Sequence, residues 1–217
     1  FEVQILKNPP GALKLMQRKN IFLSEAFKLG HFEIQDGSSQ MIAPLLDLKP
    51  GLRVIDACAG AGGKTLHAAA LMKNKGRIIA LDIHEKKLAE LKKRSARAGC
   101  DVIEMKHIEG SKTIKRLEST ADRVLLDVPC SGLGALRRNP DTKWKLTAER
   151  LEELRQIQAD ILQTYTLMVK PGGMVLYATC SVLPSENELQ VKNFLANNKN
   201  FKLETEKHFW PGDNDFD

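Results

Sequence analysis

From residue 52 onward, short apolar runs alternate with amphipathic helical stretches, and that alternation leaves few architectures open to the chain. RVIDAC (53–58), RIIALD (77–82), DVIEMK (101–106), RVLLDV (123–128) and MVLYATC (174–180) read as five strands, and FKLETE (201–206) as a sixth. Between them lie GAGGKTLHAAALM, a loop running into a helix, and EKKLAELKKRSARA (85–98), whose Leu88 and Leu91 sit among lysines and arginines. A long helix is expected from Thr147, its cap, to about Val169, ending before Lys170-Pro171-Gly172-Gly173. Ser185 and Glu188 have capping-box spacing and open a last helix running to about Asn197. Strands alternating with helices predict an α/β fold with a doubly wound, mostly parallel sheet. Such sheets bind ligands beyond the carboxyl ends of their strands. Cys58, Asp82, Cys130 and Cys180 all fall at that edge.

The first thirty residues are different. Asn8-Pro9-Pro10-Gly11 is a turn, residues 12–30 read as helical and basic, and HFEIQDGSSQ (31–40) as a short strand and turn. Ser38 or Ser39 is expected to cap a helix through Leu46. The chain opens with Phe1 rather than Met and is expected to be a piece of a longer protein.

Composition excludes several classes. No apolar run approaches the ~20 residues of a membrane span. The four cysteines, Cys58, Cys100, Cys130 and Cys180, form no CxxC pair and no zinc spacing, so neither a metal site nor a disulfide framework is expected. Free thiols fit a reducing cytoplasm. The net charge of +6 is compatible with a polyanionic partner without demanding one.

The loop DACAGAGGK (56–64) places Gly60, Gly62 and Gly63 ahead of a helix, so backbone N–H groups can approach a ligand closely. Asp82, ending the second strand, is placed to accept hydrogen bonds from ribose hydroxyls. NAD and S-adenosylmethionine both satisfy this arrangement. The spacing to Lys64 is too short for a nucleoside-triphosphate P-loop.

Taken together, IDACAGAGGKT, LDVPCSGLGALRRNPDTKW, KPGG and YATCSVLPSENE resemble the RNA (cytosine-5) methyltransferases of the NOL/NOP/Sun family, the bacterial small-subunit ribosomal RNA enzymes above all. The resemblance runs from about His31 to the end. It implies a class I S-adenosylmethionine-dependent methyltransferase core over residues 37–217, preceded by the end of an RNA-binding subdomain over 1–36. That piece is expected to pack on the core through Leu13, Leu15, Ile21, Phe22 and Phe27, its basic residues facing RNA. The last strand of the fold is expected to be missing, because the chain stops where the family enters it.

The resemblance also assigns roles. Carbon 5 of cytosine is a poor nucleophile until a thiolate adds to carbon 6, and the adduct must later be resolved. Cys180 is then the nucleophile, Cys130 the resolving thiol, and Asp127 the carboxylate that binds the ring. DNA cytosine methyltransferases attack instead from the Pro-Cys position, so two thiols favour RNA. Cys58, Ala59, Gly60, Ala61, Gly62, Gly63 and Lys64 would wrap S-adenosylmethionine, with Asp82 on its ribose and Glu109 beside its adenine; Asp127 also borders this site. Here Gly60-Ala61 replaces the family's commoner Ala-Pro. Arg137 and Arg138 would meet RNA phosphates. A monomer acting on ribosomal RNA in the cytoplasm, with no metal and no membrane, is the expected whole. Transfer RNA as substrate, a silent RNA-binding module and a dehydrogenase are the rival readings.

Overall fold

The computed structural model describes residues 1–210. A two-stranded hairpin, β1 (Val3–Ile5) and β2 (Leu13–Leu15), is followed by two single-turn helices, α1 (Glu25–Lys28) and α2 (Gly37–Gln40). The main body then alternates β3 (Arg53–Asp56), α3 (Gly63–Leu71), β4 (Arg77–Asp82), α4 (Glu85–Arg97), β5 (Ile103–His107), α5 (Ser111–Lys115) and β6 (Ala121–Asp127). It continues through α6 (Thr142–Lys145), α7 (Ala148–Tyr165), β7 (Val169–Ala178) and α8 (Glu188–Asn197). The main strands lie in the order β5-β4-β3-β6-β7, and every neighbouring pair is parallel.

Period-two alternation along the strands builds two cores. Val54, Ile78 and Ala80 face α3 and α4, meeting Ala68, Ala69, Met72, Leu88 and Leu91. Ile55, Ile79, Leu81, Val124 and Leu126 face the other way, onto Ile114, Leu162 and Met168. Both faces of the central strands are therefore covered, which explains their near-continuous apolar sequences. The chain order runs outward from β3 to β5 and then returns to β6 on the other side of β3. The crevice at that reversal, between the carboxyl ends of β3 and β6, is where such sheets take ligands.

Several local expectations are corrected. FKLETE forms no strand: Phe201 packs on Phe194 with ring centroids 5.2 Å apart, while Leu203 stays 53% exposed. Its alternation is genuine, but no neighbouring strand supplies a ladder, and β7 is the sheet's edge among the described residues. The run from Pro211 onward, which the sequence reading placed ahead of a missing strand, lies outside the described residues. The long helix stops at Tyr165 and passes through a 3-10 turn into β7, which already includes Lys170-Pro171-Gly172-Gly173. The capping box at Ser185 does not form, because Pro184–Glu186 is a 3-10 turn and α8 starts at Glu188.

Of the helix expected over 12–30 only a 3-10 turn at Ile21–Leu23 and α1 form, and the strand at 31–40 is absent. Residues 13–15 pair in the hairpin instead, and Asp36, not a serine, caps α2 by accepting from Ser39 N at 3.2 Å. Pro44 then lies in the 3-10 turn Ala43–Leu46. Leu13 and Phe22 are exposed, so they do not dock this segment. Phe27 does, beneath the Arg97 guanidinium at 3.9 Å, and Glu33 bridges Arg94 and Arg97 of α4.

Gly62 is a fixed point of the body. Its φ is +86°, and a Cβ there would lie 2.1 Å from Leu91 Cδ1 in the core. Gly62→Ala is expected to cost about 1–3 kcal/mol by overpacking at a backbone conformation alanine resists. Gly63→Ala, whose Cβ meets nothing nearer than 3.9 Å, should leave stability unchanged or slightly raised. Urea unfolding of the two variants measures the contrast.

Candidate functional site

Two adjoining clefts open along the carboxyl edge of the sheet. The first, about 800 Å³, lies over the glycine loop, with the run from Cys58 to Lys64 and Asp82 on its wall. Asp82 organises the loop, its Oδ2 accepting from Gly60 N at 2.8 Å and its Oδ1 from His84 N at 2.8 Å. Ile108 and Gly110 also line the cleft, but Glu109 between them is exposed and does not. Cys58 is half-buried on this wall, and burial pushes its thiol far above the ordinary range.

Asp56 is the residue the sequence reading left out. It ends β3 at the cleft wall, 2% exposed, with Oδ2 accepting from Thr65 Oγ1 at 2.7 Å and Oδ1 buried without a partner. Burial raises its pKa to about 7. An acid opening a glycine loop was a signal in plain view, overshadowed by Asp82.

The second cleft holds the thiols. β6 and β7 are neighbours, with Asp127 opposite Ala178, so the loops after them emerge side by side. Cys130 and Cys180 meet there with their Sγ atoms 3.3 Å apart, and Cys180 N donates to Cys130 Sγ at 3.3 Å. The turn after Cys130 closes on the other loop, Gly134 N donating to Cys180 O at 2.8 Å. Between the clefts, Lys64 Nζ donates to Asp127 Oδ2 at 2.7 Å. Burial opposes the Lys64 charge, but Asp127 outweighs it and holds the ammonium protonated.

These contacts divide the two thiols. The hydrogen bond from Cys130 lowers the pKa of Cys180 against burial and the Asp127 charge, and Lys64 assists. The same hydrogen bond, with burial, drives Cys130 far up. The pair is thus asymmetric, with the thiolate favoured at Cys180 and disfavoured at Cys130.

Of the remaining expected residues, Arg138 lines the second cleft with the thiols. Arg138 pairs with Asp36 at 2.6 Å, tying the loop after Cys130 to the start of α2. Arg137 is exposed nearby, and Trp144 is 80% exposed with the Lys143 ammonium 4.9 Å over its ring. Cys100 packs against the α3 and α4 core, away from both clefts. Among the described residues no cluster of histidines, cysteines and acids could hold a metal ion, and no helix is long and apolar enough to cross a membrane.

Alkylation by iodoacetamide reads the thiol asymmetry. Because the folded-state pKa of Cys180 is depressed, its thiolate persists as pH falls, so Cys180 should be modified first and at lower pH than Cys130. Cys130→Ala removes the donor and Lys64→Met the cation; each should shift the Cys180 profile to higher pH. Peptide mass mapping across pH 5–9 checks both shifts.

The comparisons with known proteins agree with this geometry. The family model described as 16S rRNA methyltransferase RsmB/F matches residues 43–215. The ribosomal RNA small subunit methyltransferase B of Pasteurella multocida is 40% identical over 200 residues, covering 90% of this chain and 45% of its own length. The probable ribosomal RNA small subunit methyltransferase B of Bacillus subtilis is 37% identical over 192 residues, covering 88% of this chain and 43% of its own. The structure of NSun6 from Pyrococcus horikoshii with SFG superposes with a TM-score of 0.78 at 30% identity, covering 88% of this chain and 48% of that one. This chain therefore spans less than half the length of the curated relatives. Its fold is that of a class I methyltransferase, and the chain belongs to the 16S rRNA methyltransferase RsmB/F family.

Proposed function

We propose that this chain methylates carbon 5 of a cytosine in RNA, ribosomal RNA above all, through a covalent adduct between Cys180 and the base. The carrying observation is the pair of thiols at 3.3 Å beside the Lys64–Asp127 pair, at the switch point of the sheet.

S-adenosylmethionine suits the first cleft. The unpartnered Asp56 oxygen fits a cationic group, and the Gly60 to Gly63 backbone leaves room for close approach. Cys58, Ala59, Gly60, Ala61, Gly62, Gly63 and Lys64 would hold the cofactor with Asp82, and Asp127 would close its inner end. When bound, the cofactor supplies an electrophilic methyl group. Glu109 is withdrawn from the adenine role because it does not border the cleft.

In the second cleft Cys180 adds to carbon 6 as a thiolate, forming a C–S bond and making carbon 5 nucleophilic. Asp127, held in place by Lys64, accepts from the cytosine amino group and fixes the ring against Cys180. Once Cys180 is a thioether, the hydrogen bond that held the proton on Cys130 no longer faces a thiolate. Carbon 5 then takes up the methyl group, Cys130 gives its proton to solvent, and its thiolate removes the carbon 5 proton. The electrons of that C–H bond restore the C5–C6 double bond, so the C–S bond breaks and Cys180 leaves as thiolate. Both thiols return to their starting states. Arg138 would contact RNA at the wall of the second cleft, Arg137 and residues 1–36 would extend that contact, and the protein would act as a cytoplasmic monomer.

The test uses the full-length protein with ribosomal RNA and S-adenosylmethionine. Cys180→Ala should abolish both 5-methylcytosine, read by bisulfite sequencing, and any covalent complex. Cys130→Ala should accumulate protein joined to RNA, seen as a slow band on a denaturing gel, and the double variant should show none. A band with Cys180→Ala instead would reverse the roles.

A further inference from the structure

We propose that Glu186 is a positioning residue, a single buried carboxylate that tethers both cysteine loops and so holds the two thiols within reach of each other. The inference rests on the reading that Cys130 and Cys180 serve one reaction; what it adds is the group that sets their spacing.

Glu186 is fully buried in the 3-10 turn before α8. Its Oε1 accepts from Ser131 N at 2.8 Å and from Gln158 Nε2 at 2.9 Å. Its Oε2 accepts from the hydroxyls of both Ser131 and Ser181, which are 3.1 Å from each other. Ser131 follows Cys130 directly and Ser181 follows Cys180 directly. One side chain thus grips the residue next to each thiol. Gln158 of α7 completes the grip by also donating to Pro129 O at 2.9 Å, on the far side of Cys130. Tyr177 in turn fixes the Glu186 backbone, its hydroxyl donating to Glu186 O at 2.7 Å.

Burying an ionised carboxylate is costly unless donors surround it. Here four donors converge, filling the acceptor capacity of a carboxylate and exceeding that of a neutral amide oxygen. Burial alone would raise the Glu186 pKa, yet the hydrogen bonds from Ser131, Ser181 and Gln158 hold it below the usual range. Three of the four donated bonds come from the two cysteine loops. A carboxylate serving only to cap α8 would have no reason to face them. The chain instead gives up the Ser185 capping box and turns Glu186 inward.

Phenylarsine oxide measures the spacing directly, since one trivalent arsenic bridges two adjacent thiols through two As–S bonds with loss of one water. The readout needs neither RNA nor methyl donor, so its failure is separable from failure of the methylation reading. Wild type should bind one arsenical across Cys130 and Cys180, and Cys180→Ala should abolish the bridge. Glu186→Ala, and independently the Ser131→Ala/Ser181→Ala pair, should weaken bridging by roughly tenfold or more as the effective concentration of one thiol at the other falls. Both thiols should remain reactive to iodoacetamide, and the far-ultraviolet dichroism melt should stay cooperative. Glu186→Gln should recover part of the bridging. If Glu186→Ala does not fold, the serine pair decides. Wild-type bridging in either folded variant overturns the proposal, whatever the methylation assay returns.

Discussion

Two thiols 3.3 Å apart cannot both carry a negative charge, and the chemistry of this site follows from that constraint. The first proton leaves the pair more easily than the second. Which sulfur keeps the proton is decided by its surroundings: the hydrogen bond from Cys130 and the Lys64 charge favour the anion at Cys180, and they act against the Cys180 amide, whose hydrogen bond to Cys130 favours the anion there. In the proposed reaction the asymmetry would reverse, because a thioether at Cys180 no longer repels charge on its neighbour. Attack and proton removal can therefore fall to two identical side chains used in sequence.

The fold delivers this pair through its strand order. β6 and β7 are adjacent, so their following loops meet, while β6 also lies beside β3 and brings Asp127 to the glycine loop. Lys64 spans the two, reaching from the start of α3 to Asp127. The two core layers clamp these strands from both faces, and Gly62 sets the loop against Leu91. The two clefts thus share a wall formed by Lys64 and Asp127 to Pro129.

Much of this was legible in the sequence because it depends on local pattern. The strands at 53–56, 77–82 and 121–127 carry buried apolar runs, those at 103–107 and 169–178 are half-buried, and the helices between them carry matching stripes. Loop residues at strand ends follow once the strands are placed, which brought Cys130, Cys180, Asp82 and the glycine loop to one edge. Where tertiary partners decide, the pattern misled. FKLETE alternates like a strand but has no ladder to join, and the segment 12–30 has helical residues that pair or dock instead. Glu186 lies within SENE, where helix capping is the local expectation; its role needs Ser131 and Gln158, which are distant in sequence. The Lys64–Asp127 contact was hidden for the same reason, since a salt bridge exists only in the folded chain.

The division of labour between the thiols is tested most directly by RNA carrying 5-fluorocytosine at the target position. Fluorine at carbon 5 cannot leave as a proton does, so methylation proceeds but elimination stalls, and the adduct is trapped on the unaltered protein. Digestion and mass spectrometry of the trapped complex then identify the attached residue. The account predicts a methylated fluorocytosine joined to Cys180. Attachment at Cys130, or methyl transfer with no protein bound, would contradict it.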